Sequence, residues 1–342
     1  MNPQQRQTAI ARLDATPRLA FGCYPTPIEE MPRLRAALGD NCPRLFIKRD
    51  DYTGAGFGGN KMRKLEYVLA QAMNDGAEVA ITTGGEKSNH ARVTAMLCAR
   101  LGLHCILVAN PATPGTVPPG LQPASMYVNE LVGAEIHRIN SRAERASTVA
   151  AIAAQLRAEG KRVIEIPLGA SIPLGALGFV RAMQETNAQC NAIGSNFDYV
   201  FHASSSGGTQ AGIVAGATLC GWSETRVIGI SPDDPVAGIE ATVEAIARGV
   251  FDLLSLVPPP DLRARVTVLD DYVGAGYGIP TTASTEALQL LARTEGIVLD
   301  PVYTAKAMAA LLDWIRRGKF QETDQVLFWH TGGQLALFFT PA

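Results

Sequence analysis

The sequence predicts an α/β protein: two open twisted sheets with helices on both faces. Three observations carry this reading. The chain has 342 residues, more than one compact core usually holds. From residue 45 onward, short apolar runs alternate with longer segments of helical period, the pattern of βαβ units and parallel sheets. Glycine- and serine-rich stretches directly follow several strand candidates, where such folds bind ligands.

In chain order, residues 1–44 are proline-rich and read as irregular, with Tyr24-Pro25-Thr26-Pro27 extended. Residues 45–48 form a strand candidate, and a helix opens at Lys61. Met62, Leu65, Leu69 and Ala72 line its apolar face, with Arg63, Lys64, Glu66 and Gln71 between them. Strands at 79–82 and 104–109 flank a helix at 89–101, and a Pro/Gly-rich loop spans 110–123. Helix 125–131, strand 135–139, helix 143–158 and strand 162–166 complete a block. Residues 167–175, broken by glycine and proline, read as a crossing between domains. Helix 176–189, strand 199–203, helix 209–219, strand 226–230, helix 235–248 and strand 266–269 follow. Helices 282–294 and 304–317 and strand 325–329 finish the chain.

Bulk properties narrow the function. The formal net charge is -2 and the pI about 6.2, which argues against nucleic-acid or anionic-membrane partners. No apolar run reaches the roughly 18 residues of a membrane helix, and residues 1–13 lack a signal-peptide core, so the expected location is cytoplasmic. The six cysteines form no Cys-x-x-Cys pair and read as free thiols; the five histidines are scattered, so no metal site is expected.

Chemistry concentrates in the loops. Gly58-Gly59-Asn60-Lys61 ends a glycine-rich loop, and Lys61 sits at a helix start, where the dipole disfavours a cation. Gly84-Gly85-Glu86-Lys87-Ser88-Asn89-His90 precedes a helix; Ser88 or Asn89 reads as its N-cap, in a turn that could also hold a carboxylate. Ser204 to Gly212, with Ser206, Gly207, Gly208 and Thr209, offers small residues and donors at a helix N-terminus, as a phosphate requires. Tyr277 and Tyr303 lie in further loops, and His330-Thr331-Gly332-Gly333 follows an apolar strand. Gly54 to Gly59 fits the dinucleotide pattern Gly-x-Gly-x-x-Gly, but the acidic residue expected after the second strand is missing; an NAD enzyme is the minor alternative. Residues 50–58 echo 270–278 once, which reads as coincidence. One lysine candidate plus one phosphate loop suggests pyridoxal phosphate, whose aldehyde forms a Schiff base with lysine.

Lys48-Arg49-Asp50-Asp51, Gly58 to Glu66, Ser88-Asn89-His90, Thr209 to Gly212, Leu299 to Tyr303 and His330 to Gly333 resemble the D-cysteine desulfhydrase and 1-aminocyclopropane-1-carboxylate deaminase family, pyridoxal phosphate enzymes of the tryptophan-synthase-β, type II fold. The resemblance runs from about Phe21 to the C-terminus. It implies a cofactor-bearing Lys61, helped by Asn60, with Asn89 on the ring hydroxyl and Ser206 to Thr209 on the phosphate. It further implies that Ser88, Asn89 and His90 hold the substrate carboxylate, that Ser88 assists proton transfer, and that Tyr277 and Tyr303 flank the substrate. A hydroxyl, from Thr304 or Thr331, would meet the ring nitrogen. In the cyclopropane deaminases a glutamate stands at position 304, so threonine favours β-elimination over ring opening. Glu86-Lys87 also departs from the family; Lys87, if turned inward, would favour a substrate with a second negative group. The expected enzyme is a homodimer that eliminates from D-cysteine or a similar β-substituted alanine. The alternatives are cyclopropane deamination, L-cysteate sulfo-lysis, racemisation and a non-catalytic phosphate-ligand binder. The expected division is a large cofactor-binding domain, residues 1–57 plus 168–342, and a small domain, 58–167.

Overall fold

The computed structural model describes residues 1–194 and 196–342. Its largest sheet has six strands in the order β1 (Ile28–Glu30), β2 (Arg44–Arg49), β11 (Gln325–His330), β8 (Tyr199–Ala203), β9 (Arg226–Ile230), β10 (Thr267–Leu269). All neighbours run parallel except β1, which pairs antiparallel with β2. A second, parallel sheet orders β6 (Glu135–Arg138), β4 (His104–Asn110), β3 (Val79–Gly85), β7 (Val163–Ile166). A short antiparallel pair, β5 (Leu121–Pro123) with β12 (Phe339–Pro341), ties the 110–123 loop to the C-terminus and was not legible in the sequence.

The central strands are covered on both sides, which is why they read as continuous apolar runs. One face of the large sheet packs on α7 (Pro173–Ile193), α8 (Gly208–Cys220) and α9 (Val236–Leu253), through residues such as Phe179, Val214 and Val243. The other packs on α2 (Pro32–Leu38), α10 (Thr282–Glu295) and α11 (Thr304–Arg316), through Leu34, Leu291 and Leu311. In the small sheet, α3 (Lys61–Asn74) and α4 (Asn89–Leu101) cover one face and α6 (Arg145–Ala158) the other; α5 (Ala124–Leu131) packs beside α4.

Two expectations need correction. The N-terminal region is not irregular: α1 (Pro3–Ala15) is closed by an Asn2–Gln5 capping box and buries Ala9 and Leu13 against the large core, and β1 and α2 follow. Two apolar contacts four residues apart made too weak a periodicity to see. The helix at Lys61 also has no polar face in its first turns. Arg63, Lys64 and Glu66 are all buried. Arg63 donates to Asp50 (2.7 and 2.8 Å) and to Glu185 (3.0 and 3.1 Å), Lys48 joins Glu185 at 2.5 Å, and Trp329 Nε1 reaches Asp50 at 2.8 Å. Glu66 accepts from the Phe21 and Gly22 N–H groups (2.9 and 2.7 Å). Burial alone opposes the Asp50 charge, yet Arg63 and Lys48 hold its pKa below the usual carboxylate range. Helix α3 thus lies buried against α7: a Cβ on Gly178 would fall 2.1 Å from the Arg63 carbonyl.

Candidate active site

A cavity of about 230 Å³ is walled by turns at the carboxyl ends of strands. Gly85 ends β3 and Ser88 follows it, Leu168 and Gly169 follow β7, Ser204 to Gly207 follow β8, Asp233 follows β9, and Thr331 follows β11. Lys61 joins them from the start of α3. Its loop is clamped on several sides. Gly59 N–H donates to the Asp50 carbonyl (2.9 Å), Asn60 N–H to the Thr331 carbonyl (3.0 Å), and Asn60 Nδ2 to Thr209 Oγ1 (2.9 Å). Among the described residues Lys61 has no carboxylate within salt-bridge reach, and burial lowers its pKa to about 8. That makes it an amine able to act as a nucleophile near neutral pH.

The serine-rich turn is a cradle for an anion. Gly207 caps α8 at φ +78°, and a Cβ on Gly208 would stand 2.8 Å from Ser171 Oγ. Behind the turn lies Lys64, fully buried and, among the described residues, without a carboxylate partner; it donates to the Gly169 carbonyl (3.1 Å) and to Ser171 Oγ (3.0 Å). Ser171 Oγ also accepts from Gly208 N–H (3.3 Å) and lies 2.7 Å from Ser206 Oγ. Ser171 has two acceptors in reach of its own proton, Ser206 Oγ (2.7 Å) and the Gly169 carbonyl (3.4 Å). Among the described residues, Ser204 Oγ, buried at the cavity wall, finds no hydrogen-bond partner. At the N-terminus of a 13-residue helix, the turn thus gathers serine hydroxyls and backbone N–H groups, with Ser205 Oγ turned to Asp233 Oδ1 (3.3 Å) and Gly208 N–H to the Ser206 carbonyl (3.0 Å).

Ser88 caps α4, accepting from Ala91 N–H at 3.2 Å. Asn89 Oδ1 accepts from Arg92 Nη1 at 2.8 Å. A guanidinium only donates, so Arg92 fixes the Asn89 amide with its NH₂ as the free donor, the orientation that a phenolate oxygen would need. Arg92 is itself buried, held by the Gly56 carbonyl (3.0 Å) and Ser125 Oγ (3.2 Å), and burial lowers its pKa to about 10. Residues 54–59 are thereby bound to α4 through Gly56. The echoing loop is held in the same way, by Lys306 Nζ on the Gly276 carbonyl (2.9 Å). His90 lines the cavity, but its ring turns into the protein: Nε2 lies 2.8 Å from Thr82 Oγ1, which gives its proton to the Ile166 carbonyl (2.9 Å). Nε2 therefore carries the His90 proton, and burial, with the nearby Lys61 and Lys64 charges, keeps the ring neutral.

Tyr277 and Tyr303 meet hydroxyl to hydroxyl in a short hydrogen bond, rings 5.8 Å apart and near edge-on. Burial pushes Tyr277 up to about 12 and Tyr303 well above its ordinary value, so both are neutral proton carriers at pH 7.

Three expected residues do not line the cavity. Gly208 supports the cradle from behind. Thr304 is fully buried, with Oγ1 donating to Asp300 Oδ1 (2.7 Å) and accepting from Asp300 N–H (2.8 Å). It closes the turn before α11, where Asp300 also caps the Val302 and Tyr303 N–H groups (2.8 and 2.9 Å). Of the two threonines, Thr331 is the one at the cavity. Lys87 is turned away to the Thr116 carbonyl (2.6 Å), its ammonium 5.3 Å from the Phe339 ring. The inward reading of Lys87 is corrected: the 110–123 loop folds back over it and offers a carbonyl. Conversely, Arg142, Arg145 and Asp233 line the cavity and were missed. The rule that turns after strands carry the site would have found them, since Arg142 and Arg145 follow β6 and Asp233 follows β9.

The family described as pyridoxal-phosphate dependent enzyme matches residues 19–332. The chain belongs to this family. As a pyridoxal phosphate enzyme its donor set is accounted for: the phosphate suits the Ser204–Thr209 cradle, the aldehyde suits the Lys61 amine, and the ring oxygen suits the Asn89 NH₂. The chain is 38% identical over 329 residues to D-cysteine desulfhydrase of Salmonella typhimurium, covering 96% of this chain and 98% of that one. Among solved structures, an ACC deaminase homologue matches with a TM-score of 0.86 at 33% identity, covering 99% of this chain and 97% of that one. Threonine deaminase isoform 2 of Solanum lycopersicum shares the fold, with a TM-score of 0.66 at 16% identity over 97% of this chain and 85% of that one. The type II fold and the pyridoxal phosphate cofactor are thus established, and the NAD alternative falls.

Proposed function

We propose that this pyridoxal phosphate enzyme catalyses α,β-elimination from a small β-substituted alanine, with D-cysteine the reference substrate, releasing a keto acid, ammonia and the leaving group. The observation that supports it most directly is the unpaired, desolvated Lys61 amine in one cavity with a neutral tyrosine pair and a phosphate cradle. When bound, the cofactor withdraws electrons from Cα, which is the chemistry that elimination requires. The chain's residues do the rest. Ser88 and the N-terminus of α4 receive the substrate carboxylate, and the Asn89 NH₂ holds the ring oxygen. Lys61 takes the Cα proton, and the Tyr277–Tyr303 pair delivers a proton to the leaving group. Thr331 offers a hydroxyl, not a carboxylate, to the ring nitrogen, which supports elimination over ring opening; position 304 supplies no carboxylate either.

Residues 58–167 would move as a small domain over residues 1–57 plus 168–342, closing the cavity between them. The 38% identical relative, a desulfhydrase, supports elimination from a β-substituted alanine over ring opening and racemisation. We further propose a homodimer, for which Leu131 and Phe338, 69% and 59% exposed beside Leu121 and Tyr127, offer an apolar surface. A cytoplasmic location suits the six free cysteines; no helix among the described residues is long and apolar enough to cross a membrane. The test is keto-acid release by the holoenzyme from D- and L-cysteine and D- and L-β-chloroalanine. Release from one enantiomeric series, abolished in Lys61→Ala, is expected. A holoenzyme that releases keto acid from none of the four would reject the elimination reading.

A further inference from the structure

The turn after β6 and the start of α6 send two side chains to the cavity, Arg142 and Arg145. The elimination described above uses neither: the substrate amine, its α-carboxylate and the cofactor phosphate each have other partners. The two arginines differ in their surroundings. Arg142 is half exposed, donates to Asp233 Oδ2 (3.2 Å) and lies 4.7 Å over the Tyr277 ring, so its charge is matched within the protein. Arg145 is partly buried and, among the described residues, pairs with no carboxylate. Its Nε and Nη2 both donate to Asn110 Oδ1, the first at 2.9 Å. Asn110, buried at the end of β4, has its amide NH₂ committed to the Pro111 carbonyl (2.8 Å), so its oxygen is fixed toward Arg145. Among the described residues Nη1 of Arg145 has no acceptor. Burial, and then the neighbouring Arg142 charge, lower the Arg145 pKa; Asp233, already bridged to Arg142, offsets this penalty only in part. The remaining carboxylate of the lining, Asp234, is exposed.

We infer that Arg145, steadied by Asn110 and flanked by Arg142, forms a distal anion subsite that selects amino acids carrying a second anionic group on or beyond Cβ. A sulfonate or carboxylate offers the paired oxygens that a guanidinium edge matches. The stack of Arg142 on Tyr277 puts this subsite on the tyrosine side of the cavity. The inference rests on the elimination reading for where the substrate lies, and it names the substrate class of the same site. For a sulfonate, the Cα proton passes to the base and the Cβ–S bond breaks with its electron pair leaving on sulfite. The released 2-aminoacrylate takes up one water to give pyruvate and ammonium. No oxidant or reductant is required.

The experiment compares the holoenzyme with Arg145→Gln and Arg145→Lys on cysteate and β-chloroalanine, each as the active enantiomer. Binding of aspartate and of alanine is read from the cofactor absorbance. In Arg145→Gln the ratio of kcat/KM for cysteate to that for β-chloroalanine is expected to fall about tenfold to a hundredfold, with Arg145→Lys recovering part of it. Aspartate should bind wild type more tightly than alanine does and lose that advantage in Arg145→Gln. Equal losses on the anionic and neutral compounds would give Arg145 to the α-carboxylate or to folding and overturn the inference, as would no loss at all. If neither compound is turned over, the elimination reading fails, and the aspartate-to-alanine binding ratio still decides the subsite. Retained cofactor absorbance and melting temperature in each variant exclude a folding defect.

Discussion

Asn60 and Thr209, 149 residues apart in the chain, are joined by a 2.9 Å hydrogen bond from Nδ2 to Oγ1. One is the neighbour of Lys61, and the other is the second residue of α8. The bond therefore fixes the distance between the amine proposed to take the aldehyde and the turn proposed to take the phosphate. Asn60→Ala is expected to weaken cofactor binding about fivefold to tenfold, the value of one buried hydrogen bond of about 1 kcal/mol. Equilibrium dialysis of pyridoxal phosphate measures it, and undiminished affinity would show that the register is set elsewhere.

Lys61 sets a pH dependence. Burial lowers its pKa to about 8, so below that pH the apoprotein holds it as an ammonium that cannot attack an aldehyde. The rate of pyridoxal phosphate uptake should rise with pH and level off above about 8, far below the midpoint of about 10.4 for an exposed lysine. Borohydride should then fix the adduct on Lys61; an adduct on Lys64 or Lys87 would reassign the lysine.

Gly208 is expected to tolerate no side chain. A Cβ there would meet Ser171 Oγ at 2.8 Å and Ser171 Cα at 2.9 Å, pushing away the serine that is hydrogen-bonded to Ser206. Gly208→Ala should lose cofactor affinity by tenfold or more, and Gly208→Asp should lose it entirely, since its carboxylate would compete for the phosphate's donors. Cofactor content after gel filtration reads both; wild-type content in Gly208→Asp would place the phosphate elsewhere.

Thr304 and Thr331 should separate stability from chemistry. Thr304→Val removes the 2.7 Å bond to the buried Asp300 carboxylate and is expected to cost about 1.5–3 kcal/mol of stability. Thr331→Val should shift stability by less than about 1 kcal/mol, while altering the cofactor's absorbance and lowering kcat. Denaturant melts and spectra of the two variants check this. A spectral change in Thr304→Val with none in Thr331→Val would reverse the assignment.

Much of this protein is written locally. Strand and helix periods, glycines at tight turns and small donors at a helix start depend on neighbours within a few residues. For that reason the α/β class, the Lys61 junction, the Ser204–Thr209 turn and the cofactor are legible in the amino-acid order itself. The direction of a charged side chain is not local. Arg63 and Lys64 look like the solvent face of a helix until Glu185, 122 residues away from Arg63, and Ser171, 107 away from Lys64, arrive beside them. Lys87 sits next to Ser88 in the sequence yet is drawn off by the Thr116 carbonyl, while Arg145 reaches the cavity because Asn110, at the end of another strand, holds its guanidinium there. Thr304 and Thr331 carry the same hydroxyl, and only the position of Asp300 decides which one is tied up in structure. Burying a charge or a hydroxyl is tolerable only where partners wait, and the fold alone brings those partners together.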